Sequence, residues 1–442
     1  PGGRRFEREE VCRLIGSWEL MEAMGKDPKR ALEKMMEAGV DPNEMDSEGW
    51  TPLTKSIMEG NLEAIRTLLS HGARLDEPMR EGATPLIAAV LENRSDIVNI
   101  LLDAGVNTNA ASPEGHTPLI AAAQKGNIDI ASLLLRHNAY VNKTTIQGTS
   151  PMLQAVDSNQ REMVLFLLKN GARRDETYAN TFDAVIHTAA KGDSAMLRWL
   201  LEHGFKLTHK AREGYTALHA AASYGKLKTT FLLLREGIPI DVVNSNMVTP
   251  LYCASVEGQL EMVDFLLEFG ADIDARNLEG RSALCIAALH NRTETVEFLL
   301  KRRADVNLRG NDGFQALHLG VKTGNVEIVD RLLRAGAERN VVISNGMTIA
   351  HLACYEGHLG VIRCLARRGV NFKDIRMSSQ EVDGKMFPGY TPSEIHRMIS
   401  NRNLSSDIEK WLLEPASTVW VEPNTGRVPG SQRYEFFNMG YR

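Results

Sequence analysis

The sequence predicts an all-α solenoid of small helix-turn-helix units, and three observations carry that expectation. Thr51, Thr84, Thr117, Ser150, Asp183, Thr216, Thr249, Ser282, Gln315 and Thr348 follow one another at a constant interval of 33 residues. Each opens two short apolar stretches parted by a turn, as in 117–142. Both faces of such a helix pair are apolar, so a pair alone cannot bury its Leu and Ala side chains, and a neighbouring copy must cover each side. A chain of 442 residues would otherwise be two or three globular domains.

The elements follow in order along the chain. Residues 1–17 form a charged N-terminal arm with Arg4, Arg5, Glu7, Arg8, Glu9 and Glu10. Counting back one period from Thr51 reaches Trp18, and Met35, Met36 and Gly39 then fall where other units place a Leu pair and a Gly, so 18–48 reads as an N-terminal capping unit. Repeats occupy 49–370. Inside one unit, Thr117 suits a helix N-cap and Pro118 the first helical position, where its missing N–H costs nothing. Leu119, Ala122 and Ala123 give a narrow small-residue face, and Lys125-Gly126-Asn127 ends the helix. Ile128, Ile130, Ala131, Leu134 and Leu135 recur at helical spacing in the second helix, and a polar, turn-forming finger follows. Leucine pairs such as Leu101-Leu102 and Leu266-Leu267 fill the outer layer. After Thr348 the period fails by ten residues, because Thr391-Pro392 arrives late. The excess makes 371–388 an enlarged loop, 389–414 a C-terminal capping unit and 415–442 an aromatic-rich tail.

This pattern resembles the ankyrin repeat family. Tyr215-Thr216-Ala217-Leu218-His219-Ala220-Ala221-Ala222 and Gly270-Ala271-Asp272-Ile273-Asp274 come close to its consensus, and the resemblance covers about 18–414. It implies an ankyrin-repeat solenoid with projecting β-hairpin fingers, about ten repeats plus terminal caps, and an arc on the order of 100 Å long at about 10 Å per unit. It also implies a concave face of finger bases and inner helices that binds proteins, with repeats that carry no catalytic residues. The unit around Asp183-Ala184-Val185 departs most from the pattern, and Asn244 and Asn277 stand in for the family's finger Asp. Asp305-Val306-Asn307 resembles the finger sequence that asparagine hydroxylases modify in ankyrin proteins, although the same letters serve turn formation.

Composition excludes several classes. A net charge of -5 with Lys and Arg spread along the chain leaves no basic stripe for nucleic acid. No apolar run approaches the roughly 20 residues of a membrane span, so no direct membrane insertion is expected. Cys12, Cys253, Cys285, Cys354 and Cys364 show no metal-ligand spacing, and reduced, buried thiols in an intracellular, cytoplasmic setting are expected. The sequence starts at Pro1 without Met, which leaves room for an upstream targeting segment. His219, His318 and His351 occur once per unit, which points to hydrogen bonds within and between repeats rather than to a metal or acid-base set. His187, one residue out of that register, reads as a core substitution. No phosphate loop, HExxH helix or GxSxG elbow is present. The expectation is a non-enzyme with no cofactor and no metal.

Partner-binding candidates come from positions that the stack does not dictate. The residue before each marker reads Trp50, Ala83, His116, Thr149, Phe182, Tyr215, Val248, Arg281, Phe314, Met347 and Tyr390. Tyr224, Leu289, His290, Tyr355 and Glu356 stand where the first helix ends. In a chain that is 6% aromatic, this concentration marks Trp50, Phe182, Tyr215, Tyr224, Arg281, His290, Phe314 and Tyr355 as candidate contacts. The tail adds Trp420, Phe436 and Phe437, too aromatic for a solvated linker, so that it either folds back over the last repeat or docks on another subunit as an extended peptide. The expected function is a scaffold or adaptor that binds a protein, as a subunit of a larger complex. The alternative is a regulatory or targeting part of an enzyme, in which the catalytic domain lies elsewhere.

Overall fold

The computed structural model describes residues 41–43, 45, 49–79, 82–174, 183–207, 210–344, 346–372, 380–382, 385–387 and 391. Among them are ten helix pairs. In chain order these are α1 (Pro52–Glu59) and α2 (Leu62–Ser70), α3 (Pro85–Leu91) and α4 (Ser95–Asp103), α5 (Pro118–Lys125) and α6 (Ile128–Arg136), α7 (Pro151–Asp157) and α8 (Arg161–Lys169), and α9 (Ala184–Lys191) and α10 (Ser194–Glu202). They continue as α11 (Ala217–Ser223) and α12 (Leu227–Arg235), α13 (Pro250–Glu257) and α14 (Leu260–Glu268), α15 (Ala283–Leu289) and α16 (Thr293–Lys301), α17 (Ala316–Thr323) and α18 (Val326–Arg334), and α19 (Ile349–Glu356) and α20 (Leu359–Arg367).

The chain divides into two compact units, the first ending at Ala337 and the second starting at Glu338. The first holds nine pairs and the second holds α19, α20 and a small antiparallel hairpin, β1 (Gln380–Val382) with β2 (Lys385–Phe387). That hairpin lies in the segment expected to be a loop.

Six of the ten marker residues cap their inner helices through a side-chain oxygen as expected, whereas Ser282 makes no such bond. Side chains of Thr51, Thr117, Ser150 and Thr249 accept from the N–H three residues on at 3.1–3.2 Å, and Asp183 does so at 2.7 Å where the Thr-Pro pair is lost. Each such cap is worth about 1 kcal/mol. In the first unit each inner helix packs on the next, from α1 through α17. Leu86, Leu119, Leu218, Leu251, Leu284 and Leu317 are buried in that layer, beside alanines such as Ala122, Ala221 and Ala287 whose small size lets the helices approach.

Three hydrogen-bond ladders hold the repeat interval. At the helix turns, Gly192 and Gly258 have φ of 88° and 75°, and a Cβ on either would stand 2.7 or 2.8 Å from the Cδ of Lys226 or Arg292 in the next unit. The Arg292 Nε donates to the Val256 carbonyl at 2.7 Å, so the turn glycine makes room for its neighbour's long side chain. After the outer helices, the side-chain oxygens of Asn43, Asp76, Asn109, Asn142, Asp241 and Asp274 accept the N–H of the residue 31 positions on, at 2.7–3.2 Å. The Asp or Asn of the finger sequence is thus an inter-repeat link. At the fingertips, the N–H groups of Ile146, Ser245, Leu278 and Asn311 donate to the carbonyls of Glu114, Glu213, Asn246 and Glu279 at 2.7–3.0 Å. Asn244 and Asn277 close their fingers by accepting two N–H groups each, at 2.9–3.0 Å. They perform the turn role that the resemblance assigns to Asp.

Gly115 joins these constraints, with a φ of 85° and a would-be Cβ 2.9 Å from the Cα of Thr145. Gly105 has the same φ of 85° with nothing within 4 Å. Gly115→Ala is expected to cost at least about 2 kcal/mol and Gly105→Ala about 1 kcal/mol. Urea unfolding of both variants checks the difference; equal losses would mean that the fingertips do not stack this closely.

Candidate functional site

The residues before the markers are half-buried, not free-standing. Trp50, Tyr215, Arg281 and Phe314 share that class, and Met347 is 4% exposed. Tyr215 donates to or accepts from the Ser223 Oγ at 2.6 Å, which ties its finger base to the end of α11. Its ring stands 5.1 Å from that of His219, and Phe314 stands 5.7 Å from His318 in the equivalent place. Burial raises the Tyr215 phenol well above its ordinary range, so it stays protonated. Arg281 reaches Asp312 at 3.0 Å and Glu279 at 3.3 Å, spanning two adjacent fingers. Much of this row therefore serves the stack itself.

The row at the inner-helix ends differs. Tyr224 is 44% and Tyr355 41% exposed, and His290 is exposed too. Burial and the Glu257 carboxylate push the Tyr224 phenol up, while burial and the Arg292 guanidinium push the His290 ring down. These side chains end short helices whose buried residues lie on the other side, so the fold leaves their identity open. Phe182, Trp420, Phe436, Phe437 and Tyr390 lie outside the described residues.

The histidines do what their spacing suggested. The Nε2 of His219 lies 2.8 Å from the Val248 carbonyl, which can only accept, so this nitrogen carries the proton and bridges to the next finger. The Nδ1 then accepts the Thr216 N–H at 3.2 Å. Gln315 and Thr348 donate likewise to the Nδ1 of His318 and His351. His187 is not a core residue: its side chain is 34% exposed and its Nε2 lies 2.8 Å from Asp157 Oδ1. The one-residue offset carries it to the edge of α9, where Lys191 Nζ also meets Asp157 at 3.0 Å. Burial works against ionisation of Asp157, yet these two hydrogen bonds hold its carboxyl below the usual range. The trio joins α7 to α9.

Cys253, Cys285, Cys354 and Cys364 are buried, and none of the four forms a disulfide. Burial pushes the Cys253 thiol up to about 11, so it is not a thiolate nucleophile. Among the described residues no group of three or more His, Cys, Asp or Glu stands where it could hold a metal ion. No helix among them is long and apolar enough to cross a membrane.

Sequence reasoning missed two features. Phe166, Trp199, Phe265 and Phe298 recur on the outer helices at multiples of the period, with Arg161 5.8 Å from the Trp199 ring and Arg302 5.1 Å from that of Phe298. Phe269 stacks on Phe265 at 4.4 Å and meets Phe231 edge-on at 6.0 Å. Their spacing was visible, but a reading fixed on the inner helices passes over it. Met247, 44% exposed, interrupts a column of fingertip glycines.

Burial holds the His219 ring down to about 4, from an ordinary 6.5. Between these values the unfolded chain binds the proton and the folded chain does not, so stability falls as pH drops through this window. The difference amounts to about 3 kcal/mol by linkage. Urea midpoints at pH 7 and pH 4 (about these values) are expected to differ more in the native protein than in a His219→Gln variant. Parallel losses in the two would remove His219 from the acid response.

The model of the family described as ankyrin repeats (3 copies) matches residues 20–112, 104–178, 185–277, 229–310, 270–343 and 317–421. A search of curated proteins finds no match. With matches over nearly all of its length and the same helix pair repeated at one interval, the chain belongs to the ankyrin repeat family.

Proposed function

We propose that this protein is a non-catalytic scaffold or adaptor that holds a protein partner on the face made by its finger bases and inner-helix ends. Ankyrin repeats are generic protein-protein interaction modules. The observation that carries the reading is Tyr224, 44% exposed at an inner-helix end of the first unit, a position the stack leaves free; within the second unit Tyr355 is 41% exposed at the equivalent position. Large aromatic side chains lose little rotamer freedom on contact and dominate protein interfaces. Trp50, Arg281, His290 and Phe314 extend the contact from their half-buried or exposed places on the same kinds of position. The aromatic segment 415–442 is a second attachment, and membership in a larger complex follows from two such surfaces.

Copurification and mass spectrometry would supply the partner, and titration would then test the face. Tyr224→Ala with His290→Ala is expected to weaken binding by about thirtyfold, the loss of one or two central anchors. Tyr215→Phe, which keeps the ring and removes the hydroxyl that bonds Ser223 and Cys253, is expected to change binding less than twofold or so and to lower stability by about 1 kcal/mol. Unchanged affinity in the double variant would remove the helix-end row from the interface.

A further inference from the structure

Every described finger holds the position two residues before its marker at positive φ, eight as glycine from Gly49 to Gly346 and one as Met247, with φ 58°. Left-handed backbone presses a Cβ against the following carbonyl oxygen, a clash that glycine lacks. Met247 therefore destabilises a turn that the chain builds from glycine elsewhere. Burial does not compensate, because 44% of the side chain is exposed. Such strain persists where something other than folding selects the side chain.

The surroundings say what it would meet. Leu278, 58% exposed, sits on the next fingertip, where its N–H donates to the Asn246 carbonyl at 2.9 Å. On the other side, Glu213 lies on the preceding finger and accepts from the Asn246 amide at 3.3 Å. Beyond Leu278 comes Glu279, its side chain 61% exposed. Two of the nearby cations, Arg281 and Arg276, are engaged within the fold. Arg281 is shared by Glu279 and Asp312, and Arg276 donates to the carbonyls of Gly280 and Arg309. The Tyr252 phenol senses the balance: after burial, the Glu279 carboxylate raises it more than Arg281 lowers it.

We infer that this ledge of three fingertips receives a basic, apolar segment of a partner protein, one that places a large apolar side chain on Met247 and Leu278 and Lys or Arg beside Glu213 and Glu279. The inference rests on the protein-binding reading above and narrows its partner. Two exposed apolar tips offer a contact that water does not satisfy, and carboxylates on both flanks set its polarity.

The full chain, immobilised, would be used to select from displayed random peptides of about 12 residues, which span roughly 40 Å when extended. Winners would be titrated by fluorescence anisotropy against the native chain, Met247→Gly, Met247→Asn and a Glu213→Gln/Glu279→Gln double variant. Selected peptides are expected to carry net positive charge and at least one large apolar residue. Both Met247 variants should weaken them at least about fivefold while raising the thermal midpoint by about 2 °C, since Gly and Asn tolerate this φ. The double Gln variant should weaken them and flatten their salt dependence. Neutral or acidic winners, no enrichment at all, or equal binding by the Met247 variants would each overturn the ledge. Loss of the natural partner from the Tyr224/His290 variant but not from the Met247 variants would also overturn it, while leaving the protein-binding reading in place.

Discussion

An apolar helix pair only seven to nine residues long on each side cannot be covered by itself, and the whole molecule is organised around that deficit. Leu119 and Ala122 on one inner helix are buried only because another unit lies against them. The same surface must then fit a copy of itself on both sides, which explains why 33-residue spacing persists even where Thr-Pro has decayed to Asp183-Ala184 or Gln315-Ala316. Local contacts of this kind make stability a sum over units and the interfaces between neighbours. What the sequence conserves internally is an interface rather than a domain core.

Hydrophobic contact alone would let neighbouring units slide, since Leu against Ala is not directional. Direction comes from hydrogen bonds. The Asx oxygens reach the backbone of the next unit 31 residues on, the fingertips exchange N–H and carbonyl, and the His219 Nε2 reaches Val248. Each satisfies a backbone group that a turn would otherwise leave to solvent. Glycines with left-handed φ at the fingertips and helix turns are the geometric condition for these bonds, because a Cβ at Gly115 would collide with the next finger. Packing supplies most of the energy, and the polar ladders supply the register.

The helix pairs were legible in the sequence because the constant interval and the apolar spacing agree in every unit, with capping residues and turn glycines supporting them in most. Even the degenerate marker Asp183 could be placed, since an Asp caps a helix as well as Thr does. The candidate surface was less legible. Spacing reveals that Tyr215 and Tyr224 stand outside the apolar helix pattern, yet it cannot say that Tyr215 turns its hydroxyl onto Ser223 while Tyr224 remains exposed. His187 shows the same limit: a shift of one residue rotates a side chain by about 100° around a helix and takes it from the core to the edge. The hairpin at 380–387 was not foreseen because it lies where the repeat breaks and no period guides the reading.

The unit from Thr216 to Val248 departs from its neighbours in more than its exposed tyrosine. Where other outer helices bury Met163-Val164, Met262-Val263 or Ile328-Val329, α12 buries Thr229-Thr230, and neither hydroxyl has a hydrogen-bond partner among the described residues. An unsatisfied buried hydroxyl costs about 1–3 kcal/mol. The preceding finger holds Glu213, and its own finger Met247, in left-handed backbone. Strain at the fingertips and polar groups in the outer core thus fall together in the unit that carries Tyr224. Because stability in a stack is local, such defects lower the free energy of opening this unit without unfolding those at a distance. A stack built only for stability would repeat its best unit, and this one does not.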